Sequence, residues 1–99
     1  MDFKVTFSKR ALSELADITT FIAQDNPDAA RELSEKLLDQ AASLTRFPFR
    51  HAKDHHRASV RKMPAPPYLV YYAVDESKRI VTILHFWHSA SASPALMST

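Results

Sequence analysis

Between positions 46 and 62 the sequence sets Arg46, Arg50, Lys53, Arg57, Arg61 and Lys62 against a single carboxylate, Asp54. Cations at that density bind phosphate or carboxylate groups, so RNA, DNA or an acidic protein would be drawn to the segment. The plainer reading is a solvated basic loop. The whole chain is only +2 at neutral pH, so the remainder is net acidic and the basic cluster is local. Imidazoles fall into two groups. His51 and His55 are four residues apart with His56 beside them, and on a helix the pair could share a zinc ion. No cysteine and no well-spaced Asp or Glu completes four ligands, so no metal is expected. His85 and His88 are three apart in a strand-like run, which sends them to opposite faces. At most one of them can serve any single place as acid or base, and a structural role is the alternative for each. Tyr68, Tyr71 and Tyr72 can stack on bases or simply pack. Packing is the expectation for most, with the Tyr68 hydroxyl the one exposed.

Several chemistries are excluded by composition. The chain has no glycine and no cysteine, which removes Gly-rich phosphate loops, thiol nucleophiles and Cys-x-x-Cys motifs. Nucleotide hydrolysis and hydride transfer go with them, and no cofactor is expected. Ninety-nine residues make one domain, 1–99, with a single core and no large enclosed substrate cavity. No apolar run reaches the roughly 20 residues needed to cross a bilayer, the nearest being 80–87. The N-terminus lacks a basic-then-apolar leader pattern. The expectation is a cytoplasmic protein with no membrane partner.

The elements that must position these side chains follow from periodicity. Phe3, Val5 and Phe7 alternate with polar residues, predicting a strand over 2–7. Ser8 caps a helix over 9–24, in which Leu12, Leu15, Ile18, Thr19 and Ile22 recur at helical spacing. Asn26 and Pro27 form a cap followed by a first-turn proline, opening a second helix that runs from 27 to about 46 along the stripe Ala30, Leu33, Leu37, Ala41 and Leu44. After the basic segment, 58–63 reads as a short edge strand ended by the prolines at 64, 66 and 67. Residues 68–74 and 80–88 then form a hairpin about the turn 75–79. The tail from 89 to 99 is small, polar and expected to be loose.

The order is β-α-α-β-β-β, an α+β domain with a helix hairpin on one face of a small, mostly antiparallel four-stranded sheet. On strict alternation Tyr68, Val70, Tyr72 and Val74 oppose Leu69, Tyr71 and Ala73, while Ile80, Thr82, Leu84, Phe86 and His88 oppose Val81, Ile83, His85 and Trp87. Both faces are apolar. One helix hairpin covers one face, which leaves the other for a partner.

The strand "VRKMP" at 60–64, the segment "PYLVYYAVDE" at 67–76 and "ILHFWHS" at 83–89, behind an N-terminal strand and helix hairpin, resemble toxins of the RelE/ParE superfamily from bacterial type II toxin–antitoxin modules. The ParE-type members look closest. The resemblance spans nearly the whole chain and implies a small toxin neutralised by a cognate antitoxin whose C-terminal segment wraps its helices and sheet. Tyr71, Phe86 and Trp87 are then the expected antitoxin contacts, and operator DNA is reached only through the antitoxin. The target differs within the superfamily. ParE-like members poison DNA gyrase without nuclease chemistry, and RelE-like members cleave ribosome-bound mRNA. Cleavage without a metal needs a proton acceptor, a proton donor and cations for the phosphorane. Arg61 aligns with an arginine that the nucleases carry, and His85 or His88 could move protons. Arg50, Lys53, Arg57, Lys62 and Tyr68 are the expected target or nucleic-acid contacts. However, the nucleases commonly carry a further arginine or tyrosine after the last strand, where this chain reads "HSASASPALMST". The leading expectation is therefore a ParE-like gyrase inhibitor that is not an enzyme. The alternatives are a metal-independent mRNA endoribonuclease, or a non-toxic relative that only binds antitoxin and co-represses its operon.

Overall fold

The computed structural model describes residues 2–90. Its first strand, β1, is Lys4–Phe7, shorter than the periodicity predicted. Phe3 instead pairs with the end of the helical region: its N–H donates to the Thr45 carbonyl at 2.8 Å, and the Thr45 hydroxyl donates back to the Phe3 carbonyl at 2.6 Å. Ser8 caps helix α1, Lys9–Ala23, accepting from the Ala11 N–H at 3.0 Å. The chain reverses at once, with the Asp25 and Asn26 amides both bonded to the Ile22 carbonyl. Asn26 then caps α2, Pro27–Ala42, by accepting from Ala29. This reversal forces the helices into a hairpin and aligns their apolar stripes on the same side.

Helix α2 stops at Ala42 rather than near 46. Two 3-10 turns follow, Ser43–Thr45 and Pro48–Arg50. The tighter winding is what lets the backbone of Thr45 meet Phe3, a contact that a continued α-helix would deny. Strand β2 is Val60–Ala65, β3 is Tyr68–Asp75 and β4 is Ile80–His88. The sheet order is β1-β4-β3-β2, so β2 is an edge strand as expected. It starts later and runs further than 58–63. Pro64 sits inside it opposite Leu69, which an edge position tolerates because a proline has no N–H to donate. Among the described residues only β1 with β4 is a parallel pairing. In the β3–β4 turn the Asp75 carboxylate accepts from the Ser77 hydroxyl and the Lys78 N–H. Arg79 takes the left-handed position that a glycine would ordinarily fill.

Strict alternation fails at one residue, and the faces change as a result. Tyr71 pairs with His85 and Tyr72 with Ile83, leaving Leu84 as an extra residue in β4. A bulge of this kind reverses the phase of the strand beyond it. Phe86, expected opposite Val81 and Ile83, therefore joins them in the core beneath the helices, stacked on Phe7 at 6.3 Å and 1% exposed. The core also holds Leu15, Leu37, Ala41, Leu44, Met63, Val70 and Tyr72. Leu69, Tyr71, Ala73, Thr82, His85 and Trp87 lie on the face away from the helices. Of the tail, Ser89 and Ala90 form a turn and the remainder lies outside the described residues.

Candidate binding surfaces

Arg61 lies in β2 opposite Tyr72. Its Nη1 donates to the carbonyls of Phe49 at 3.2 Å and His51 at 2.7 Å, and its guanidinium sits 5.2 Å from the Phe49 ring centre. Arg50 folds back on the end of the helical region. Its Nη1 donates to the Arg46 carbonyl at 2.6 Å and its Nη2 to the Ser43 hydroxyl at 2.8 Å, so a cation closes carbonyls that the helix end leaves open. The buried Tyr72 hydroxyl donates to the Pro48 carbonyl at 2.7 Å. Tyr72 and Arg61 thus pin residues 48–51 to the end of the sheet, and Arg50 ties the segment back to the helix end. Burial raises the Tyr72 pKa above the usual phenol value against the opposing pull of Arg61 and Arg50. Burial, reinforced by the Arg50 charge, holds the His51 imidazole below its usual value.

The rest of the basic segment is arranged differently. Lys53 forms a bridge with Arg61 through the backbone, and the amides of Lys62 and Asp54 bond across to Ala52 and Val60. The Lys53 side chain is exposed, as are His55 and His56, while Lys62 is half-buried. Asp54 is buried and accepts from the His56 amide. Arg57 is half-buried, with Nε and Nη2 shielded and unpaired. His51 and His55 do not share a helix. Among the described residues no group of three His, Cys, Asp or Glu could hold a metal ion.

This division separates the cations that hold the backbone from those left in solvent within one cluster. Arg50→Ser is expected to lower unfolding stability by about 1 kcal/mol, the worth of its carbonyl contacts. Lys53→Ser is expected to leave stability within about 0.5 kcal/mol while weakening target binding. Thermal melts of the two variants beside a binding measurement check it, and equal melting temperatures would remove the capping role.

At the other end of the sheet the two histidines are on opposite faces. His85 is 5% exposed and stands edge-on to Tyr71 and Trp87 at about 6 Å. Its Nδ1 is 3.3 Å from a Glu14 carboxylate oxygen, and the other oxygen accepts the Phe86 N–H at 3.1 Å. Beyond Ile83, β4 has no β1 residue beside it. The Ser8 hydroxyl, which donates to the Leu84 carbonyl, and Glu14 take over that edge. His88 is exposed on the helix side, edge-on to Tyr68 at 5.2 Å, and its Nδ1 accepts the Ala90 amide. Burial raises the pKa of the half-buried Tyr68. The structure thus brings together His85 with Tyr71 and Trp87, and His88 with Tyr68, and it keeps both groups apart from Arg61.

Sequence reasoning missed Glu14 and the pair Phe47 and Phe49. Glu14 gave no signal, being one acid on a polar helix face. Phe47-Pro48-Phe49 did give one, since two aromatics around a proline in a loop have no strand or helix to bury them. Phe47 adopts φ 50° and ψ 53°, a left-handed conformation that costs a non-glycine residue about 1–2 kcal/mol.

A helix hairpin on a β1-β4-β3-β2 sheet is the fold of the RelE and ParE toxins, and solved structures of both superpose on this chain. The chromosomal ParDE system from P. aeruginosa gives a TM-score of 0.75 at 16% identity, covering 87% of this chain and 95% of that one. A mutant E. coli RelE toxin in the free state gives 0.71 at 19% identity, covering 98% and 93%. In sequence, the chain is 34% identical to Toxin RelE2 of Caulobacter vibrioides over 84 residues, 83% of this chain and 93% of that protein. Residues 5–92 match the family described as the ParE toxin of the type II toxin–antitoxin system parDE. The chain belongs to that family, within the RelE/ParE superfamily of toxins. Among the described residues no helix is long and apolar enough to cross a membrane.

Proposed function

We propose that this toxin acts by binding DNA gyrase, as ParE-like members do, and is neutralised by a cognate antitoxin. The carrying observation is the separation of Arg61 from both histidines that a nuclease reading assigns to proton transfer. Arg61 aligns with Tyr72, whereas His88 aligns with Tyr68, four residues and roughly 13 Å further along the strand. His85 is nearer in register but points to the other face and is buried against Glu14. Neither His85 nor His88 converges with Arg61 on one phosphate. The antitoxin reading is supported by the solved relatives, among them the RelBE2 toxin–antitoxin complex of Mycobacterium tuberculosis. Trp87 and Leu69, both half-buried, form the accessible apolar part of the face away from the helices for such a partner, while Tyr71, expected as a contact, is 3% exposed and supports the patch from beneath. Phe86 contributes through the core that holds this strand in place.

The test is a supercoiling and DNA-cleavage assay with purified gyrase. Inhibition with accumulation of cleaved DNA, abolished by the antitoxin, is expected. Unaffected gyrase, together with cuts in translated mRNA of induced cells, would reverse the reading. The name of the RelE2 relative favours that second mechanism. Under it, Arg61→Ala should abolish the cuts in a chain that still melts cooperatively, with Arg61 steadying the phosphate.

A further inference from the structure

The aromatic loop at the end of the sheet has a use that the fold does not supply. Phe47 is 79% exposed and Phe49 44%. With Phe3, which meets Phe49 edge to face at 6.2 Å, they wall a cleft of about 420 Å³. The backbone on both sides of Phe47 is pinned by Tyr72, Arg61 and Arg50. Arg79 lies over Phe3 at 5.0 Å and fixes the opposite wall. The scaffold is therefore held while the Phe47 ring stays in solvent, at a backbone conformation that glycine would take without steric cost. An exposed aromatic on a rigid frame beside an apolar cleft has the character of an interface anchor, since little of its freedom is left to lose on binding.

The rim charges identify the kind of occupant. Arg46 and Arg79 are balanced there by Asp2 and Glu76. A nucleic-acid chain would press its phosphates against two carboxylates, whereas a polypeptide can answer both signs. We propose that this cleft docks a polypeptide segment of the toxin's target, one that inserts an apolar side chain beside Phe47 and offers both acidic and basic groups to the rim. The basic stretch beginning at Arg46 adjoins it, so the cleft and Lys53 belong to one target surface, distinct from the Tyr71–Trp87 face. That the target is gyrase rests on the reading above.

The experiment compares the wild-type chain with Phe47→Gly. The melting temperature of the variant should be unchanged or higher, because the left-handed position is relieved. Its affinity for purified gyrase holoenzyme should fall at least tenfold, and its affinity for the antitoxin should be unchanged. If the wild type binds gyrase and the variant binds it equally, the cleft proposal falls and the gyrase reading stands. If the wild type does not bind gyrase, the gyrase reading falls, and the two chains are compared by growth arrest on induction. Arrest lost in the folded variant keeps the cleft as a target contact, and arrest retained overturns it. Loss of antitoxin binding instead, or a single-stranded oligonucleotide bound by the wild type and not by the variant, also overturns it.

Discussion

Phe86→Ala is expected to destabilise the fold by about 3–5 kcal/mol, the range for emptying a buried phenylalanine site. Trp87→Ala, one residue on, should cost less than half as much. The bulge at Leu84 is the reason. It puts Phe86 into the core against Phe7 and leaves Trp87 half-buried on the other face. Urea unfolding of the two purified variants reads the difference directly. With uninterrupted alternation Trp87 would be the core residue, and the order of the two losses would invert.

The second large effect lies at Glu14. Replacing it with alanine removes the acceptor of the Phe86 N–H and the partner of a buried imidazole in one step. Hydrogen bonds to a charged group contribute about 1.5–3 kcal/mol, and a loss of that size is expected. Glu14→Gln keeps an acceptor for the Phe86 N–H and should recover roughly half of it. Equal destabilisation by both substitutions would mean that the charge beside His85, rather than the edge bond, carries the contribution. A loss near zero in both would remove the clip altogether.

The sequence disclosed the element order because its signals are local. Ser8 and Asn26 cap as their side chains dictate, and Leu15, Ile18, Leu33, Leu37, Ala41 and Leu44 reach the core as expected, whereas Leu12 turns to solvent and Ala11 takes its place in the core. The phase of β4 was illegible for a physical reason: with both faces apolar, "ILHFW" suits either register, and periodicity fixes a register only when one face is polar. The end of α2 was illegible because the Thr45–Phe3 contact that stops it spans 42 residues. The basic cluster was visible as charge, but its division was not. Arg50 and Arg61 turn to backbone carbonyls that no spacing rule anticipates, and Lys53 does not. The opposed faces of His85 and His88 were readable from their offset alone, since three residues along a strand reverse the side-chain direction.

The parallel pairing of β1 with β4 bears on how the protein is made. Lys4–Phe7 aligns with Ile80–Ile83, so β1 waits for β4, more than seventy residues later, before its side of the sheet can close. The two helices can form early from local contacts, but β4 lies between β1 and β3 and must be inserted as a central strand. Such distant pairing makes folding slow relative to a helical domain of the same size. A growing chain whose residue 83 is still inside the ribosome therefore carries an incomplete sheet, with no hairpin to hold Tyr71 beside His85 and no edge for Glu14 to close. The sheet, and with it both candidate surfaces, closes only once β4 has been made.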